Sequence, residues 1–193
     1  MENHGGDSKD FKNLDEWGEL YEEDGIKVDF SHLLLPKRRK GFDRLIFIPE
    51  GLKIQQACDN LRFPVGTDFE NRNLDEVVIK NDRDSAKGAY AIRVRNRVNA
   101  DEEMKNPSAN DLLRRRISGI TLLERIQYER KHFKETGGRG FLDYDVTNLC
   151  PGSRIAGGYV PGVHGGGGWG GINIWLFGVD FSDDSLRPRV VVA

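Results

Sequence analysis

The spacing of apolar positions changes several times along this chain, and each change predicts a different element. Leu45-Ile46-Phe47-Ile48-Pro49 is a continuous apolar run ended by proline, which predicts a buried strand. Over residues 52–61 the apolar side chains fall at Leu52, Ile54, Ala57, Cys58 and Leu61, the spacing of an amphipathic helix. Ala89 to Arg95 alternates apolar with polar, which predicts a half-exposed strand. Ala109 to Ile117 reads as a helix interrupted at Ser118-Gly119, with Arg114-Arg115-Arg116 on its exposed face. The clearest element follows Thr121, which with Glu124 forms a capping-box pattern. Its apolar side carries Leu122, Leu123, Ile126 and Phe133 with Tyr128 flanking, and Gln127 is expected on its polar side. Lys131 and Lys134 suit its negative C-terminal end, and Gly137-Gly138 stops it. Further on, Ile172 to Phe177 and Arg189 to Val192 read as strands.

The N-terminal end is less patterned. Residues 1–13, with Gly5-Gly6 and scattered charge, are expected to be a disordered arm, followed by a short acidic helix from Leu14 to Glu23. Leu33-Leu34-Leu35-Pro36 is a brief apolar stop before Lys37-Arg38-Arg39-Lys40, which reads as a solvated basic loop. With 193 residues in all, a single domain over residues 14–193 is the expected organisation.

Composition narrows the function classes. The formal net charge is −2, so the basic excess of a dedicated nucleic-acid binder is missing and no nucleic-acid partner is expected. Two cysteines, Cys58 and Cys150, define neither a disulfide framework nor a zinc site, and are read as buried hydrophobes in a reducing compartment. No apolar run approaches the roughly 20 residues of a membrane helix. The first residues are polar, without a secretory pattern, so membrane insertion is not expected and a cytoplasmic location is the default.

Catalytic and cofactor signatures are also missing. The run Gly165-Gly166-Gly167-Gly168 lacks the Gly-Lys-Ser/Thr of a phosphate loop. His4, His32, His132 and His164 have no metal-ligand spacing. No nucleophile elbow is present, and Asp183-Asp184 reads as a turn. The expectation is a protein with no enzymatic activity, no cofactor and no metal.

One shift in composition remains to be explained. Residues 1–135 hold 11 Lys, 13 Glu, 3 Gln and 2 Met, whereas residues 136–193 hold none of these four types. Over the same boundary glycine concentrates: 11 of the 23 glycines lie in residues 152–178. An ordered glycine in regular structure costs roughly 0.5–1 kcal/mol relative to alanine, so stability alone does not favour stacking them. Strand-like flanks on both sides make this segment read as a displayed loop between fixed strands.

Leu149-Cys150-Pro151-Gly152-Ser153-Arg154, the Gly-rich middle, and Leu186-Arg187-Pro188-Arg189-Val190-Val191-Val192 together resemble the C-terminus of variable proteins from diversity-generating retroelements. The resemblance covers residues 147–193. Members of that family have a strand ending in a Gly-Gly-Ser-Trp-like motif before the variable stretch and a Gly-Phe-Arg-like closing strand. Here Arg154 stands where tryptophan is common, and the Gly-Phe pair is missing. The resemblance implies an α+β C-type lectin fold of the formylglycine-generating-enzyme subtype, with helices packed on small antiparallel sheets. It implies a final strand paired with an early one, Leu45 to Ile48 being the expected neighbour. It also accounts for the composition. Adenine-directed randomisation of Asn codons yields most residue types but not Lys, Glu, Gln, Met or Trp.

The implied function is recognition of a ligand, expected to be a protein, through a diversified surface within residues 147–193. The expected contact residues are Ile155, Gly157, Tyr159, Gly162, His164, Gly165, Gly166, Gly167, Gly168, Gly170, Gly171, Ile172, Asn173, Phe181 and Asp183. Tyr159, His164, Ile172 and Phe181 are the expected anchors. Trp169 and Trp175 are expected to be scaffold, with Trp175 in the core. The alternatives are a structural protein of a virus-like particle, and an enzyme related to the formylglycine-generating fold using Cys150.

Overall fold

Helices and strands alternate along the chain of the computed structural model, which describes residues 8–69, 72–167 and 170–193. In chain order the elements are α1 (Ser8–Glu22), β1 (Arg44–Ile48), α2 (Ile54–Asp59), β2 (Val65–Thr67), α3 (Leu74–Val77), β3 (Val78–Asn81), β4 (Tyr90–Val94), α4 (Ala109–Arg114), α5 (Leu122–Glu135), β5 (Thr147–Leu149), β6 (Ser153–Ile155), β7 (Tyr159–Gly167), β8 (Gly171–Gly178) and β9 (Leu186–Pro188). The class is mixed α+β, as expected.

A two-stranded sheet pairs β1 antiparallel to β4, from Arg44 opposite Val94 to Ile48 opposite Tyr90. Every residue of β1 is buried, as its unbroken apolar run predicts. Helix α1 covers β1 and ties to it through side chains. Trp17 Nε1 donates to the Leu45 carbonyl at 3.1 Å, and the Tyr21 hydroxyl donates to the Phe47 carbonyl at 2.8 Å. This helix begins at Ser8, so residues 8–13 belong to it and not to an arm; residues 1–7 lie outside the described residues. Asp10 is drawn into the fold because Arg93 reaches it at 2.8 Å and Arg38 at 3.0 Å. Residues 37–40 are all exposed, as a solvated basic loop should be, and Arg38 reaches Asp10 from solvent.

Strand β4 departs from expectation. Ala91, Ile92, Arg93 and Val94 are all buried, so the alternation at Arg93 marks a buried paired charge and not an exposed face. The far edge of β4 is closed by the chain terminus. Arg93 and Val192 exchange backbone hydrogen bonds of 2.8 and 2.9 Å, and Val190 bridges to Gly119. The last residues are pinned by β4, the strand next to Leu45–Ile48, through isolated bridges and not a continuous ladder.

The larger sheet has seven strands. Its path runs β2-β8-β7-β5-β9, with β3-β6 joining β7 beside β5. Most pairs are antiparallel; β2 with β8 and β5 with β9 are parallel. Helix α5 lies between the two sheets, against β1 on one side and β7 on the other, with α2 alongside. The capping box is present: the Thr121 side chain accepts from the Glu124 amide and the Glu124 side chain accepts from the Thr121 amide. Helix α4 ends at Arg114 and not at Ile117, because Arg116 takes a positive φ of 55°.

Burial on α5 extends around the helix. Glu124, Arg125, Gln127, Glu129, Arg130 and Lys131 are all buried, so the expected polar side with Gln127 is inside the molecule. Buried charges persist where they are paired and hydrogen-bonded, and most of these are. Arg125 pairs with Glu129 at 2.6 Å and with Asp143 at 2.8 Å. Arg189, near the C-terminus, reaches the other oxygen of Asp143 at 2.8 Å and donates to the Val98 carbonyl. Arg83 holds Glu124 at 2.6 Å, and Arg130 holds Asp24 at 2.7 Å.

Candidate functional site: the outer face of the C-terminal hairpin

Strands β7 and β8 form a long antiparallel hairpin in which Gly162 faces Trp175, His164 faces Asn173, and Val160 faces Phe177. Alternation along each strand sorts the side chains onto two sides. Val163, Ile172 and Ile174 point into the main core with Ile155 nearby. His164, Asn173, Trp175 and Phe177 lie on the other side, which faces outward.

That outward side carries aromatic groups in solvent. Trp175 is 36% exposed, Phe181 49% and Tyr144 60%. The His164 and Trp175 rings stack at 5.4 Å, a diagonal cross-strand pair. The Phe177 and Phe181 rings stack at 5.8 Å. Glycine makes room for this arrangement at two points. A Cβ at Gly162 would lie 2.5 Å from the Phe177 ring and 2.9 Å from Thr147 Cγ2. At Gly166, where φ is +73°, a Cβ would run into the Tyr144 ring. The result is an aromatic strip running from Tyr144 past His164 and Trp175 to Phe177 and Phe181. At one end it meets a small apolar cluster of Ala109, Leu149 and Val160 against Phe177 and Val179.

The buried ion network of α5 holds this strip from behind. Asp143 is fixed by Arg125 and Arg189 in a left-handed conformation, φ 58°, and its carbonyl accepts from the Gly165 amide at 3.3 Å. Leu142 is clamped too: its amide donates to Glu129 at 2.9 Å and its carbonyl accepts from Arg125 at 3.2 Å. Tyr144 follows directly. A Cβ at Gly165 would run into the Leu142 carbonyl and approach Phe141 Cβ to 2.9 Å, so this glycine is where two backbones meet. Burial pushes the Glu129 carboxyl above its ordinary range even though Arg125 pulls it down, which shows how dry the clamp is.

The structure scatters the expected contact residues over several environments. His164, Gly166 and Asn173 lie on the aromatic strip and Phe181 closes one end of it, whereas Gly162 is buried beneath Phe177 and is corrected from a contact to a packing position. Asp183 is exposed in the neighbouring turn, where it accepts from the Ser185 amide and hydroxyl. Ile155, Gly165 and Ile172 are buried, so they are corrected to core positions; Ile172 is 0% exposed and cannot anchor a ligand. Gly171 is buried as well. Tyr159 is 43% exposed but lies on the opposite side of the hairpin. There it lines a cleft of about 730 Å³ with Asp68, Arg72, Glu76, Ile155 and Leu176. Gly157 and Gly170 have positive φ at exposed turns, and Gly167 pairs with Gly171 at the end of the hairpin. Gly168 and Trp169 lie outside the described residues.

Trp175 is a correction. Its apolar neighbours in sequence suggested a core residue, but its position opposite Gly162 puts it outward, against His164. Tyr144 and Phe177 were not among the expected contacts. Tyr144 precedes the strands, and its place on the strip depends on Gly166, a contact between distant turns that periodicity does not encode.

Among the described residues, no group of three or more His, Cys, Asp or Glu side chains is arranged to hold a metal. Cys58 and Cys150 are both buried and unpaired. Burial pushes the Cys58 thiol up to about 12 and the Cys150 thiol higher still, so neither is poised as a thiolate. No described helix is long and apolar enough to cross a membrane. No protein-family model, curated protein or solved structure matches this chain.

Proposed function

We propose that this chain is a non-catalytic binding protein, a variable protein of the diversity-generating-retroelement type with a C-type-lectin-like fold, and that the outer face of the β7–β8 hairpin takes a protein ligand. The observation that carries this reading is the aromatic strip. Tryptophan and tyrosine held in solvent by a rigid backbone are the groups that dominate protein interfaces, and exposed apolar patches mark interaction sites. The strip falls inside the stretch that lacks Lys, Glu, Gln and Met. Apart from Trp175, its members are types that randomised Asn codons reach. The high thiol of the enclosed Cys150 speaks against the alternative of a cysteine-based enzyme.

The test is at the locus that encodes the chain. A reverse transcriptase gene beside an imperfect repeat that differs at adenines supports the reading, with the mismatches falling on outward codons such as those of His164, Asn173 and Phe181. The reading fails if there is no such repeat, or if the mismatches fall equally on the codons of the buried Gly165, Ile172 and Ile174.

A further inference from the structure

The aromatic strip is bordered by acid. Asp145 follows Tyr144, while Asp180, Asp183 and Asp184 surround Phe181 in sequence; all four are exposed. Their polar contacts leave the charges standing. Asp145 accepts from Asn99 at 3.0 Å, Asp180 from Asn110 at 2.7 Å, and Asp183 from Ser185. Among the described residues none of the four meets a cation within ion-pair distance. The Ser185 hydroxyl and amide hold the Asp183 carboxyl below the usual range, so it stays ionised well into mild acid.

The cations of the same stretch do not neutralise this rim. Arg189 is buried on Asp143. Arg154, on β6, is half-buried, and its guanidinium donates to the Pro151 and Ser153 carbonyls. Arg187 shares the register of Asn148 and Val163, on the sheet side opposite the strip. Arg139, in the loop after α5, is the remaining exposed cation. An apolar strip with an uncompensated acidic rim has one charge preference.

We infer that the ligand is a basic polypeptide segment, one that lays an arginine or lysine across the Trp175–His164 stack while further cations meet Asp145, Asp180, Asp183 and Asp184. This rests on the binding reading above and adds the chemistry of the partner. Cations are attracted to the face of tryptophan, and rim charges set encounter rate and partner choice more than they set affinity. A nucleic acid or an acidic membrane surface would be repelled by the same rim.

The experiment selects peptides on the full chain from three displayed pools of equal length: Lys/Arg-rich, Asp/Glu-rich and uncharged. The expected result is enrichment from the basic pool alone. Affinity should fall about tenfold when salt is raised from about 0.05 to about 0.5 M, as screening removes the rim's attraction. The Asp180→Asn, Asp184→Asn double variant should weaken binding several-fold, and Trp175→Ala should abolish it. Trp175→Phe, which keeps an aromatic face, should retain part of it, and thermal melts confirm that each variant folds. Enrichment of acidic or uncharged peptides that need Trp175 would overturn the basic-partner inference and leave the binding face standing. Peptides of any pool that bind equally well to Trp175→Ala would overturn the binding face itself.

Discussion

Helix α5 and the outer face of the β7–β8 hairpin invert each other. The helix carries Glu124, Arg125, Gln127, Glu129, Arg130 and Lys131 inside the molecule, while the hairpin carries Trp175, and its neighbours Tyr144 and Phe181, outside. Residue type alone would exchange them. The difference teaches that each placement has a separate physical cause. Buried charge on α5 is tolerated because partners arrive from several distant segments, Asp24, Arg83, Asp143 and Arg189 among them. Exposed aromatic surface on the hairpin has no such internal compensation, and in the binding function proposed above a ligand would cover it. The two regions are also joined. Asp143 belongs to the buried network through its side chain and to the base of the strip through its carbonyl.

The largest test of this contrast is Asp143→Asn. It leaves Arg125 and Arg189 buried with a lost charge partner, and removing one member of a buried ionic group costs about 3–5 kcal/mol. Chemical denaturation should show a loss of that size. A loss under about 1 kcal/mol would mean that the buried network is not what holds the core. Next comes Gly165→Ala, where the added methyl meets the Leu142 carbonyl. Overpacking of this kind costs about 1–3 kcal/mol. An unchanged melting temperature would show that the hairpin is not seated on residues 141–143.

His132 offers a smaller, pH-dependent test on α5. Burial disfavours its imidazolium and Arg44 repels it, so its folded pKa lies below the ordinary value of about 6.5. The unfolded chain therefore takes up the proton first. The stability contributed by the neutral ring is complete above the unfolded pKa and is lost as pH falls through it towards the lower folded value. His132→Gln should flatten the fall of stability between about pH 7 and pH 5. An identical pH profile for both proteins would contradict the assignment.

On the outer face, stability effects should be small and binding effects large. Trp175→Ala removes a half-exposed ring stacked on His164 and should cost about 1 kcal/mol, against the 3–5 kcal/mol of a buried tryptophan. A calorimetric loss in the upper range would return Trp175 to the core. Smallest of all, Gly170→Asn places a side chain in open space at a φ of +76° that asparagine tolerates. A melting temperature within a degree or two of the parent is expected. A Gly166→Asn partner variant should fall well below it, because Tyr144 occupies that space. Equal melting temperatures for the two would show that the glycines are interchangeable display positions after all.

Local chemistry was legible along the chain. The capping box at Thr121 and Glu124 appears as read, because its hydrogen bonds join residues three apart. The all-apolar run Leu45–Ile48 could only be a buried strand, and it is one. The Gly-rich segment, expected to be a displayed loop between strands, is itself strand: Tyr159–Gly167 and Gly171–Gly178 pair with each other, because its glycines allow close approach where larger residues would clash. What the sequence could not fix was direction. Whether Trp175 or Ile174 faces the core is decided by register against Val163 and Gly162, and a shift of one residue would exchange them. Whether Gln127 and Arg125 meet water is decided by which segments fold over α5, and those segments lie far along the chain. Glycines share one letter and several reasons: Gly170 is free, Gly166 leaves space for a ring, and Gly165 lets two backbones touch. Composition placed them in one loop. The tertiary structure separated them, because the contact that each glycine permits is made by residues its own neighbours do not specify.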